Sequence, residues 1–278
     1  MKLAGDVVIR AEPFGAVLFK KSTATTVLLS KQGVSILLKE LSLSAPESDL
    51  LKFLFKLGFV EKGFSEKIQL PDEVSAPLRS LSAPESLHVL VTKRCGLKCR
   101  GCYFSDEKGA DMSFKLFKKV VDEAARLKVF QIALGGGEPL LHPDIFEMIS
   151  YAREKGLIVT MTTSGYYLNE HAAKRLKETD INRVQVSLNG PVREIHEKIR
   201  PGFFKAIRAL KILREVGIKT AVNFLLTRTN YFYLPEMVCL CREVGAETLI
   251  LLRLKPPQAD RKWYEENKLK KNDYVRLS

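Results

Sequence analysis

Three cysteines within eight residues, Cys95, Cys99 and Cys102 in the stretch VTKRCGLKCRGCYF, constrain this chain more than any other feature. Thiolates are soft ligands that select iron–sulfur clusters, zinc or copper(I), and at this spacing they lie on one short loop that can wrap a compact metal centre. A closed zinc site normally supplies its own fourth ligand. None is near in sequence: Cys239 and Cys241 lie far along the chain, and His88 sits inside the apolar run before the loop. One coordination position is therefore left for a substrate, as in catalytic metal sites. A zinc knuckle, or cysteines buried for packing alone, are the other readings of these residues.

From Leu87 onward, apolar strands alternate with amphipathic helices. Strands are expected at Leu87 to Thr92, Val129 to Leu134, Leu157 to Thr162, Arg183 to Leu188, Thr220 to Leu226 and Thr248 to Leu254. Helices are expected from Ser113 and near 143–155, 170–178, 203–217 and 235–244. Near-continuous Val, Ile and Leu runs predict parallel strands covered on both faces, in an α/β barrel-like sheet with helices outside. Chemistry in such folds gathers at the C-terminal strand ends. The motifs follow that rule: the cysteines come after the first strand, Gly135-Gly136-Gly137-Glu138-Pro139 after the second, Thr162-Thr163-Ser164-Gly165 after the third, and Ser187-Leu188-Asn189-Gly190 at the fourth.

Gly136 and Gly137 let backbone approach a ligand, since no Cβ intrudes, and Glu138 adds an acceptor beside them. Read alone, the same run is a turn into the following helix. Thr163, Ser164, Ser187 and Asn189 offer short hydroxyl and amide groups of the kind that hold a ribose or a carboxylate, although turns use the same residues. Cys239 and Cys241 lie on a helix pattern and read as buried packing residues. His142 reads as a turn residue.

The first seventy residues have their own pattern. Short strands at Val7 to Ile9, Ala16 to Phe19 and Thr25 to Leu29 precede two helices, capped by Ser30 and Ser48, and Phe59, Val60 and Ile68 to Leu70 are expected to form a small wing. This predicts a winged-helix-like α+β domain over residues 1–70. Pro71, Pro77 and Pro84 mark residues 71–86 as a linker, leaving 87–278 as the catalytic core. Asn272 to Ser278 read as the start of a sixth helix, capped by Asn272 or Asp273, at which the chain looks cut short.

Residues 1–80 carry 11 basic and 9 acidic residues, so nearly all of the net charge of +13 falls on the core. Most of it lies on solvated helix faces, and the N-terminal domain's near-neutrality argues against nucleic acid as a ligand. No export signal and no run long enough to span a membrane is present, and five cysteines, three of them clustered, suit the reducing cytoplasm.

C-x3-C-x2-C after a strand, followed by GGGEP, resembles the radical S-adenosylmethionine (radical SAM) enzymes. The resemblance covers residues 87–278 and implies a partial (β/α)6 barrel. It implies a [4Fe-4S] cluster on Cys95, Cys99 and Cys102, with S-adenosyl-L-methionine chelating the fourth iron through its amine and carboxylate. Reductive cleavage to a 5′-deoxyadenosyl radical and hydrogen abstraction from substrate follow. The GGE segment would bind the methionyl ammonium, and TTSG and SLNG resemble ligand motifs of the family. Arg200, in HEKIRPG, resembles an arginine segment downstream of the fourth strand in these enzymes, which implies pairing with the methionyl carboxylate or only with a neighbouring helix. An electron donor such as ferredoxin or flavodoxin is implied as well. An aromatic residue often precedes the third cysteine in the family; here Gly101 stands there, with Tyr103 just after.

Residues 1–70 resemble the small pyrroloquinoline-quinone-type peptide-recognition domain fused to radical SAM peptide maturases, which implies a ribosomally made precursor peptide as substrate. A cap that only covers the barrel is the alternative. A small metabolite, as in the molybdenum-cofactor and haem-maturation relatives, is the other substrate class, and a non-catalytic metal- or cluster-binding adaptor the other function class. Peptide-modifying relatives often continue into a cysteine-rich domain with auxiliary clusters that this sequence lacks.

Overall fold

In the computed structural model the described residues are 1–64, 68–71, 74, 77, 80–102, 110–256 and 260–275. Much of the expected linker, and Tyr103, lie outside them. The chain forms two compact units, residues 1–86 with 123–130, and residues 87–122 with 131–278.

The first unit is built on a three-stranded antiparallel sheet of β2 (Val7–Glu12), β3 (Gly15–Lys20) and β4 (Thr25–Ser30), with β3 central. Helices α1 (Lys31–Glu40) and α2 (Asp49–Lys56) follow, and Ser30 and Ser48 cap them through hydroxyls that accept from the Gly33 and Leu51 amides at 3.1 Å. These bonds satisfy N–H groups that the first turn leaves orphaned. Leu18, Leu37, Leu51, Leu54 and Phe59 are almost fully buried and form the core. The expected wing is corrected. Val60–Glu61 (β5) pairs with Lys2–Leu3 (β1), while 68–70 form no strand. The start of the chain takes that place because Met1 is buried in the core and its ammonium donates to the Leu43 carbonyl, a long-range contact that a two-residue strand does not announce. At the far side of the sheet the buried Arg10 pairs with Glu12 at 2.6 Å, and its guanidinium lies over the Phe130 ring.

The second unit is a six-stranded parallel sheet whose strands lie side by side in chain order: β6 (Ser86–Thr92), β7 (Gln131–Gly136), β8 (Ile158–Thr163), β9 (Arg183–Ser187), β10 (Thr220–Leu226) and β11 (Thr248–Arg253). Helices α3 (Phe114–Arg126), α4 (Ile145–Glu154), α5 (Glu170–Glu178), the short α6 (Arg193–His196), α7 (Phe203–Glu215) and α8 (Leu234–Val244) fill the crossovers. Among the described residues no helix is long and apolar enough to cross a membrane.

The two faces of this sheet differ, which corrects the expectation of apolar cover on both. In-register neighbours Leu134, Met161, Val184, Val186 and Val222 are buried on one face. The other face carries Thr160, Thr162, Arg183, Gln185, Ser187 and Asn223. There Thr162 and the Asn223 amide both donate to Gln185 Oε1, at 3.0 and 3.2 Å. Thr160 and Thr162 interrupt the apolar run of β8, Arg183 and Gln185 that of β9, and these interruptions fall in register.

The C-terminal part is also corrected. After β11 comes α9 (Arg261–Asn267), which was not expected, and α10 (Lys271–Val275) begins at Lys271, with Asp273 in its first turn.

Candidate metal centre

The cysteine loop is tied down at its base. It leaves β6 at Thr92 and returns at Ala110–Met112, where Lys93 and Met112 amides donate to the Ala110 and Val91 carbonyls at 2.8 Å. Asp111 accepts from the Thr92 hydroxyl at 2.6 Å and pairs with the Arg94 guanidinium at 2.7 Å. The Thr92 hydrogen bond, with Arg94 beside it, holds the Asp111 carboxyl below the ordinary carboxylate range.

The glycine-rich turn after β7 grips the same loop. Gly137 N–H donates to the Thr92 carbonyl at 2.7 Å and Glu138 N–H to the Arg94 carbonyl at 2.8 Å. A Cβ on Gly136 would lie 2.2 Å from Thr92 O, and one on Gly137 2.2 Å from Arg94 O. The close approach that requires glycine at these positions is thus made by the chain's own cysteine loop, where a ligand was expected. Gly135 differs: a Cβ there would meet nothing within 4 Å.

Glu138 is fully buried. Its carboxylate accepts from the Thr163 hydroxyl at 2.6 Å and the Ser164 amide at 2.9 Å, and from the Ser164 hydroxyl. Thr163 and Ser164, expected as ligand groups, therefore act on Glu138 and lock the end of β8 to the end of β7. Ser187, at the end of β9, is buried and lies opposite Asn223. Asn189 is almost completely buried; its Oδ1 accepts from Leu225 N–H at 3.1 Å and its own amide donates to His196 Nδ1 at 3.0 Å. Its side-chain NH2 has no partner among the described residues. Burial, with the Arg200 charge nearby, pushes the His196 pKa down to about 4.

Arg200 lies within electrostatic reach of Cys95 and Cys99 and favours their thiolates, against burial, which pushes both thiols up. Next to it, the Ile199 carbonyl accepts from the Arg100 amide at 2.8 Å, so the segment after α6 braces the cysteine loop from another side. Two aromatic residues that the sequence reading missed also touch this loop. A Cβ on Gly96 would lie 2.0 Å from the Tyr167 hydroxyl oxygen, and one on Gly101 2.2 Å from the Trp263 ring of α9. Tyr167 lies two residues after TTSG, a signal available in the sequence. Trp263 had none.

Among the described residues, no three His, Cys, Asp or Glu side chains are gathered tightly enough to chelate a single metal ion. Cys95, Cys99 and Cys102 nevertheless share one electrostatic neighbourhood. Three thiolates on one short loop suit a polynuclear cluster, in which each iron takes its own thiolate. Of the other two cysteines, Cys241 is buried and its thiol is pushed up to about 11 by burial, whereas Cys239 is exposed, contrary to expectation.

The model of the Radical SAM superfamily matches residues 89–238, which include the cysteine loop, the glycine-rich turn and both hydroxyl motifs. The chain belongs to the radical SAM superfamily. Members of this superfamily use a [4Fe-4S] cluster and S-adenosylmethionine, and the three soft thiols on a braced loop fit that cluster. The chain is 36% identical over 183 residues to the mycofactocin maturase MftC of Mycobacterium tuberculosis, covering 64% of this chain and 46% of that one. It is 32% identical over 171 residues to the PqqA peptide cyclase of Gluconobacter oxydans, covering 59% of this chain and 48% of that one. The chain thus spans about half the length of the curated relatives it matches. Streptococcus suis SuiB, solved with S-adenosylmethionine, superposes with a TM-score of 0.75 at 19% identity, covering 99% of this chain and 69% of SuiB, and it has also been solved with its precursor peptide SuiA.

Proposed function

We propose that this radical SAM chain modifies a ribosomally made precursor peptide by hydrogen abstraction. The observation that carries the reading is the double backbone clasp between the cysteine loop and the Gly137–Glu138 turn, which holds the start of that loop, next to Cys95, beside the strand ends where a cosubstrate would lie. Cys95, Cys99 and Cys102 would hold the cluster. When bound and reduced, the cluster supplies the electron that cleaves S-adenosylmethionine.

The protein's own groups orient and enclose. Gly135 offers backbone on an open side, and the unpartnered Asn189 NH2 and the neighbouring Ser187 offer polar contacts. Arg200 places a positive charge where a carboxylate would be held. Glu138, Thr163 and Ser164 position the turn. The Thr162–Gln185–Asn223 ladder gives the second sheet face the hydrogen-bonding groups to hold a substrate.

Residues 1–70 would recognise the peptide by strand addition. The sheet has one edge closed and one open. Along β2, the Ile9 and Ala11 carbonyls already accept from the Lys128 ammonium and the Ser82 hydroxyl. β4 is the other edge, with Leu28 exposed, and among the described residues nothing pairs with its outer side. MftC and PqqA peptide cyclase among the relatives, together with the likeness of the whole chain to SuiB, support a peptide, while an Fe-coproporphyrin III synthase of Methanosarcina barkeri, 35% identical over 159 residues, keeps a small metabolite as the second reading. The five free cysteines support a reducing cytoplasm, and a ferredoxin or flavodoxin is the class of donor proposed.

The test is anaerobic reconstitution followed by dithionite and S-adenosylmethionine, with 5′-deoxyadenosine as the product read. Full cluster content with no 5′-deoxyadenosine overturns the reading. Binding of a precursor peptide encoded beside the gene, lost when proline replaces Val27 in β4, tests the peptide arm.

A further inference from the structure

The cysteine loop meets a partner that no motif predicts. Gly101, one residue before Cys102, has a left-handed backbone (φ +62°), and the volume its side chain would fill is occupied by the Trp263 ring, 2.2 to 3.1 Å from an ideal Cβ. Trp263 is 7% exposed and packs with Ile199 and Leu254. Around this contact, Arg100 pairs with Asp260 at 3.2 Å, just ahead of α9, and the Arg100 amide donates to Ile199 O. Thus both residues between the second and third cysteines are engaged by segments outside the loop, Arg100 by Asp260 and Ile199, Gly101 by Trp263. The first cysteine, Cys95, follows directly on the backbone clasp at Thr92 and Arg94. That clasp does not reach Cys102.

We propose that Trp263 is a positioning residue of the cluster: by pressing the Cζ3 edge of its ring onto Gly101 it fixes the arm carrying Cys102, so that the third thiolate is held in place by α9. This rests on the cluster assignment above. Glycine is needed at 101 for two reasons that act together. A side chain would collide with the indole, and the left-handed conformation disfavours any residue with a Cβ. The claim differs from a general packing role because it ties one ring to one metal-binding arm.

Trp263 is the chain's single tryptophan, so its emission reports this contact alone. In the full chain, the apo form should emit as a buried indole, and cluster reconstitution should quench that emission strongly because the ring lies against the loop. Unchanged emission on full reconstitution overturns the proposal. Trp263→Ala should lose iron to a chelator about 10- to 100-fold faster than the unaltered protein, the range seen when outer supports of metal ligands are removed. Trp263→Phe, which keeps a flat ring, should recover most of that loss. Gly101→Ala should expel the indole, shifting its emission to longer wavelength and reproducing the lability of Trp263→Ala. The double variant should be no worse than either single one. Unaltered cluster retention in Trp263→Ala, or a red-shifted Gly101→Ala that keeps its cluster, overturns the proposal while leaving the cluster assignment intact. Failure of the unaltered chain to take up iron and sulfide overturns both.

Discussion

The N-terminal unit and the cysteine loop are held by different forces. The first packs leucines and Phe59 between a small sheet and two helices, and its only buried ion pair, among the described residues, joins Arg10 to Glu12. The second, among its described residues, buries almost no apolar side chains of its own. It is fixed by backbone hydrogen bonds at both stems, by an aspartate–arginine pair and by side chains pressed onto its glycines. A unit held by burial resists damage until it unfolds. A loop held by a few directional contacts can lose its geometry while the fold survives.

The sharpest way to break this contrast is Cys99→Ser, which should abolish cluster content while far-ultraviolet circular dichroism and the melting transition of the apo chain stay unchanged. Gly137→Ala should act similarly, since its methyl would sit 2.2 Å from Arg94 O; iron retention should fall about 10- to 100-fold, measured by chelator challenge. In the N-terminal unit the reverse is expected. Glu12→Gln leaves Arg10 buried without its counter-charge and should cost about 3–5 kcal/mol in chemical denaturation. Glu138→Gln lies between the two regimes: its new NH2 group cannot accept from the Thr163 and Ser164 donors, at about 1–3 kcal/mol, with weakened S-adenosylmethionine binding as the second readout.

The smallest effect is one of pH. His196 is held neutral, with its folded pKa at about 4 against 6.5 unfolded, so the unfolded chain binds more protons between those values. Its contribution is fully present above pH 6.5 and is lost as pH falls towards 4, by up to about 1.4 kcal/mol per pH unit. His196→Asn keeps an acceptor for the Asn189 amide and should flatten that slope in denaturation series between pH 4 and 6.5.

Much of this was legible in the sequence because it is local. The six strands, five of the helices and the two serine caps follow from periodicity and capping within a few residues of each other, and the cysteine and glycine motifs from their spacing. What was not legible is long-range. Gly136 and Gly137 read as room for a ligand until Thr92 and Arg94 are seen beside them. Thr163 and Ser164 read as free hydroxyls until Glu138 is seen to take them. The polar face of the sheet is visible only once register aligns Thr162 with Gln185 and sets Asn223 beside it.

The strand order β6 to β11 follows the order of synthesis, and this orders the assembly of the metal-binding loop. The loop leaves the ribosome with only its own stem for company, gains the Gly137 and Glu138 amides when β7 docks, and receives the Trp263 indole only after more than a hundred further residues have emerged. On the proposal above, the contact that holds the arm of Cys102 is thus supplied by the part of the loop's surroundings that is made last.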